Sequence, residues 1–133
     1  SSTIFYAVPA SVGAKLGRPE RPCLCVVGDG GGLPTLGELA TVKQYNIPIV
    51  FLVYNNSSFG ILENYMKARY GIEGSMNLTN PDFVQLARAF DIDAKRVENM
   101  EDLRDVFVQR VRWDEPFLIE FKYPTFSLPW EIR

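Results

Sequence analysis

Apolar residues run without a break from Ile49 to Tyr54, between Pro48 and Asn55. A run of that length, rich in β-branched and aromatic residues, predicts a strand buried on both faces of a parallel sheet. Cys23–Val27 predicts a second strand of the same kind. Between them the period lengthens: Leu36, Leu39, Ala40 and the stem of Lys43 share one helical face, and Asn46-Ile47-Pro48 ends it. Thr35-Leu36-Gly37-Glu38 has the spacing of a capping box, which predicts that this helix starts at Thr35. The unit is β-α-β, so both strand ends point to the same edge of the sheet.

The same reading extends in both directions. Ala7–Gly17 predicts a short helix with Pro9 in its first turn and small residues Ala10, Gly13, Ala14 and Gly17. Ile61–Ala68 predicts a helix with Ile61, Leu62, Tyr65 and Met66 on one face, and Gly71–Thr79 a loop. Asn80-Pro81-Asp82 predicts a helix start with Asn80 as its cap, followed by Phe83, Leu86, Ala87 and Phe90 at helical spacing. Ile92–Val97 is a short strand. Asn99–Arg112 is a helix with Leu103, Val106, Phe107 and Val111 inward, acids at its start and arginines at its end, as the helix dipole favours. Phe117–Lys122 is the last strand. Strands alternating with helices predict an α/β fold, a three-layer doubly wound parallel sheet forming one domain over residues 1–133.

Composition narrows the chemistry. Apolar residues make up 47% of the 133, enough for one core, and the net charge of -2 carries no basic run. Nucleic-acid binding is therefore not expected, nor is a membrane span, since no apolar stretch reaches the required length. The absence of histidine removes Ser-His and Cys-His nucleophile systems and most zinc sites. Cys23 and Cys25 are read as reduced core cysteines of a cytoplasmic protein, set on opposite faces of their strand.

What remains is concentrated at two strand ends. Gly28-Asp29-Gly30-Gly31-Gly32 follows the first strand, and Asn55-Asn56 follows the second. Open α/β sheets bind ligands at this edge. A carboxylate and an amide oxygen are hard donors suited to Mg²⁺, which commonly shares itself with a phosphate. The glycines let backbone approach that phosphate, and the helix start favours its charge. Asp29 and Asn56 thus predict a metal-bridged diphosphate site.

Gly-Asp-Gly, then residues 31–54, then Asn-Asn resembles the signature of thiamine-diphosphate-dependent 2-oxoacid enzymes. The chain is similar to their C-terminal diphosphate-binding domain, with benzoylformate decarboxylase and the acetolactate synthase large subunit as the nearest patterns. Asn56-Ser57-Ser58-Phe59-Gly60 resembles the family's N-N-x-x-[FYL]-G. The resemblance implies Mg²⁺ held by Asp29, Asn56 and the Ser58 carbonyl, with Asn55 serving the turn instead. It implies that Gly28, Gly30, Gly31, Phe59, Gly60 and Ile61 also meet the cofactor. Ile4 would prop the cofactor in a bent shape, and Ser2 would turn its carbonyl to the aminopyrimidine. Ile61, Leu62 and Tyr65 would line the pocket for a 2-oxo acid such as benzoylformate or pyruvate.

The catalytic glutamate of the family lies on a separate pyrimidine-binding domain, so no base is named here. The family also carries a strand upstream of this chain and further domains, usually in a homo-oligomer. The chain is therefore expected to be an N-terminally truncated part, inactive alone, with the tail from Tyr123 to Arg133, through Phe126, Leu128 and Trp130, lying on another surface. An acetolactate synthase-like carboligase is the alternative activity, weakened by Ile61-Leu62-Glu63-Asn64-Tyr65, where synthases tend to show M-V-x-Q-W. A non-catalytic nucleotide-binding module of flavodoxin-like fold is the alternative outside enzymes.

Overall fold

The computed structural model describes residues 4–74 and 76–123. Four strands, β1 (Leu24–Gly28), β2 (Val50–Asn55), β3 (Asp93–Val97) and β4 (Phe117–Lys122), form one parallel sheet in the order β1-β2-β4-β3. The helices are α1 (Ala7–Gly17), α2 (Asp29–Gly32), a 3-10 segment (Leu33–Glu38) running into α3 (Leu39–Gln44), α4 (Gly60–Tyr70), α5 (Phe83–Ala89) and α6 (Met100–Gln109). None of the described helices is long and apolar enough to cross a membrane.

The apolar runs account for the layers. Alternate residues of β2 face opposite ways, so Ile49, Phe51 and Val53 join one core while Val50 joins the other. The first core packs Val8 and Val12 of α1, Leu39 and Val42 of α3, and Phe83 and Ala87 of α5 against the sheet. The second packs Leu103 and Val106 of α6 against Phe117, Ile119 and Phe121. The fold is thus the expected three-layer α/β arrangement, with α6 packed on the second face. Leu24 and Val26 of β1 are exposed.

Three local expectations are corrected. The capping box does not form: the glycine run lets helical backbone begin at Asp29, with Gly28 in extended conformation before it. Thr35 Oγ donates instead to the Gly32 carbonyl at 3.0 Å, inside the helical segment. Asn80 is not the cap of α5; Asp82 is, accepting from the Gln85 amide at 2.9 Å. Cys23 and Cys25 do not face opposite ways. Positions two apart along extended chain share a side, and both thiols meet Ser11 of α1, Cys23 through the Ser11 carbonyl at 3.6 Å and Cys25 through its side chain. Burial is the main cause of the raised pKa of each thiol, which keeps both protonated. Ser2 and the tail residues Phe126, Leu128 and Trp130 lie outside the described residues.

Candidate functional site

β1 and β2 are neighbours in parallel register, with Gly28 opposite Tyr54, so Asp29 and the Asn55-Asn56 pair emerge side by side at the carboxyl edge. Gly28 is exposed there, and a Cβ on it would meet nothing within 4 Å. Asp29 is only 2% exposed. Its Oδ1 accepts from the Gly30 amide at 2.9 Å and its Oδ2 from Asn80 Nδ2 at 2.7 Å. Both donors are neutral. Among the described residues no lysine or arginine pairs with Asp29. A buried carboxylate without a cation is costly, and this one lies just past the carboxyl end of β1.

Asn55 is the structural asparagine of the pair. Its Oδ1 accepts from the Ser57 amide at 3.1 Å and the Ser57 hydroxyl at 3.3 Å, which supports Ser57 at a φ of 56°. Its Nδ2 donates to Glu120 Oε1 at 2.6 Å. Asn56 Oδ1 accepts from the Ser58 amide at 3.2 Å. An amide oxygen has two lone pairs and can serve two partners at once. The loop before α5 folds back on this turn: Phe59 donates to the Met76 carbonyl at 3.0 Å, and Leu78 to the Ser57 carbonyl at 2.7 Å. Among the described residues no turn or loop amide donates to the Ser58 carbonyl. The Ser58 hydroxyl donates to Glu63 Oε2 at 3.3 Å.

Phe59 packs on Gly30 so closely that a Cβ at Gly30 would lie 2.3 Å from Phe59 Cε1. This contact ties the two halves of the site together, with Gly60 buried at the start of α4. Gly31 is half-buried. Ile61, Leu62 and Tyr65 follow on α4, exposed at 63%, 50% and 37%. Ile4 lies before α1 and is 59% exposed.

The residues that the sequence did not point to are Asn80, Glu120 and Arg96. Asn80 Nδ2 bridges Asp29 Oδ2 and Asn55 Oδ1, the latter at 3.0 Å, and its Oδ1 is buried without a partner among the described residues. Glu120, 1% exposed, receives Arg96 Nε on Oε2 at 2.7 Å, and Arg96 Nη2 reaches Asp82 Oδ2 at 2.9 Å. The hydrogen bond to Glu120 is the leading cause of the raised Arg96 pKa, which keeps the guanidinium charged. One charge among apolar neighbours in Phe117-Leu118-Ile119-Glu120-Phe121 was the available signal for Glu120. Among the described residues no group of three or more His, Cys, Asp or Glu side chains gathers. Any metal here would rest on one carboxylate with amide and carbonyl oxygens.

Residues 2–121 match the family described as thiamine pyrophosphate enzyme, C-terminal TPP binding domain. The chain belongs to this family. It is 32% identical over 121 residues to a probable acetolactate synthase large subunit of Methanococcus aeolicus, covering 90% of this chain and 20% of that protein. It is 38% identical over 102 residues to a probable 2-ketoarginine decarboxylase of Pseudomonas aeruginosa, covering 76% and 18%. A thiamine diphosphate-dependent 4-hydroxybenzoylformate decarboxylase of Rhodococcus jostii superposes with a TM-score of 0.83 at 30% identity, over 92% of this chain and 24% of that one. The chain thus spans about a fifth of the length of the curated relatives it matches. It is a TPP-binding domain related to the acetolactate synthase and 2-oxoacid decarboxylase enzymes.

Proposed function

We propose that this TPP-binding domain holds the diphosphate of thiamine diphosphate through Mg²⁺ as part of a 2-oxoacid decarboxylase. The observation that carries the reading is Asp29, a buried carboxylate at the sheet edge whose only described partners are neutral donors. A divalent cation there would supply the missing positive charge. Asp29, the Asn56 amide oxygen and the Ser58 carbonyl would be its protein ligands, all of them hard oxygens as Mg²⁺ requires. Exposed Gly28 and the amides at the start of α2 would receive the diphosphate.

When bound, thiamine diphosphate would supply the carbanion chemistry that releases CO₂ from a 2-oxo acid. The chain's own residues do the holding. Phe59 against Gly30 keeps the Asn56–Ser58 turn against the glycine turn. The apolar side chains of Ile61, Leu62 and Tyr65 extend beside the metal-binding turn and would face the substrate, of the benzoylformate or pyruvate kind. The catalytic glutamate would come from a pyrimidine-binding domain, across an interface of a homo-oligomer. An acetolactate synthase-like carboligase is the second reading, supported by the similarity to acetolactate synthase large subunits.

Titration of thiamine diphosphate into the assembled enzyme, with and without Mg²⁺, tests the proposal. Affinity should collapse when the metal is chelated and return when it is restored. Binding that is indifferent to Mg²⁺ would overturn it.

A further inference from the structure

One line of hydrogen-bonded side chains runs from Asp82 through Arg96, Glu120, Asn55 and Asn80 to Asp29. Its members come from β2, β3, β4, α2, the loop before α5 and the cap of α5, and no two that touch are close in sequence. Each bond in it has only one permissible direction. The Glu120 carboxylate can only accept, so Asn55 must turn its Nδ2 toward it, leaving Oδ1 toward Ser57 and Asn80. Asn80 then meets two acceptors, Asn55 Oδ1 and Asp29 Oδ2, and must turn its Nδ2 to both. The cost is visible: Asn80 Oδ1 is buried with no partner among the described residues. Flipping the amide to relieve it would press an oxygen against the Asp29 carboxylate. The polarity set at Glu120 is thereby transmitted to Asp29.

We propose that Glu120 and Asn80 are positioning residues for the cation site, which rests on the metal reading above. Asn80 holds the Asp29 carboxylate, and Glu120 holds Asn80 through Asn55. The same Asn55 oxygen braces Ser57, so the line also fixes the turn that carries Asn56 and Ser58. Arg96 neutralises Glu120 and anchors it to Asp82, the cap of α5. Neither Glu120 nor Asn80 needs to touch the metal. Partners of this kind behind metal ligands typically change metal affinity by about 10–100-fold.

The test uses Mn²⁺ as the probe, its binding to the intact enzyme followed by paramagnetic resonance in the presence of thiamine diphosphate. Asn80→Ala and Glu120→Gln should each weaken Mn²⁺ binding by about 10–100-fold. The double variant should lose no more than the weaker-binding single variant, because both act through the same atoms. Losses that multiply in the double variant would overturn the serial arrangement. Should Glu120→Gln lower the melting temperature so far that binding cannot be read, Asn80→Ala decides alone, since among the described residues its side-chain bonds go only to Asp29 and Asn55. Unchanged affinity in Asn80→Ala, with a large loss in Asp29→Ala, would overturn the positioning role and leave the metal reading intact. No loss in either variant would overturn the metal reading and this inference with it.

Discussion

The Phe59 ring occupies the space that a side chain at Gly30 would need, with Cε1 2.3 Å from where that Cβ would be. The glycine turn after β1 and the asparagine turn after β2 are therefore fitted to each other by one missing methyl group. Gly30→Ala should force the ring aside, and with it the turn bearing Asn56 and Ser58. Overpacking of this kind costs about 1–3 kcal/mol. Thermal melting should show that loss, and calorimetry should show weakened thiamine diphosphate binding. Adding Phe59→Leu should recover part of the stability. A Gly30→Ala variant that melts and binds like the parent would show that the contact is easily relaxed.

Among the proposed metal ligands, Asp29 should matter more than Asn56. Asp29→Ala removes the charged donor and leaves the diphosphate's negative charge poorly compensated, whereas Asn56→Ala removes a neutral one. Calorimetry of thiamine diphosphate binding to the assembled enzyme should give a large loss for the first and a smaller loss for the second. Equal affinities in parent and both variants would remove these residues from the site.

Asp82 couples the start of α5 to Arg96, and its contribution should depend on pH. Its pKa is held below the ordinary 3.8, first by the Gln85 amide that it caps and also by Arg96. A depressed carboxyl stabilises the fold fully above its unfolded value and loses that contribution as pH falls through the folded one. Asp82→Ala should therefore cost about 1 kcal/mol at pH 7, the usual value of a helix cap. The gap between variant and parent in denaturant unfolding should close below the carboxylate range. A gap that stays constant through that range would exclude the charge from the effect.

Ile61 offers a test of substrate selection with little structural cost. It is 63% exposed, so Ile61→Ala should change stability by no more than about 0.5 kcal/mol. If its side chain bounds the pocket, the ratio of kcat/KM for benzoylformate over pyruvate should rise by up to about 10–200-fold in the assembled enzyme. An unchanged ratio would take Ile61 out of the pocket.

The elements were legible because their signals are local. The Ile49–Tyr54 run marks β2, and Asn99 with its first-turn acids marks α6, where its side chain accepts from the Asp102 amide at 2.8 Å. The Gly-Asp-Gly and Asn-Asn pairs were legible too, since each directly follows its strand. Asn80 was not. Its neighbours Pro81 and Asp82 make it look like a cap, and its bond to Asp29 spans a separation that no local pattern encodes. Glu120 and Arg96 escaped for the same reason: their pairing depends on β4 lying beside β3. The capping box misled because Thr35 and Glu38 have the right spacing, while the glycines upstream had already begun the helix.

The strand order has a consequence for how the chain assembles. β4, the last of the described strands in sequence, lies between β2 and β3. Until it arrives, β3 has no neighbour among the described strands and the Glu120 side chain is absent from the site. All pairings are parallel and distant in sequence, a topology that folds slowly. On the ribosome, β1 and β2 can pair early, but the sheet can join into one piece only after Lys122 has emerged. The binding edge, laid down by β1 and β2, thus acquires its rigidity from a strand synthesised after both.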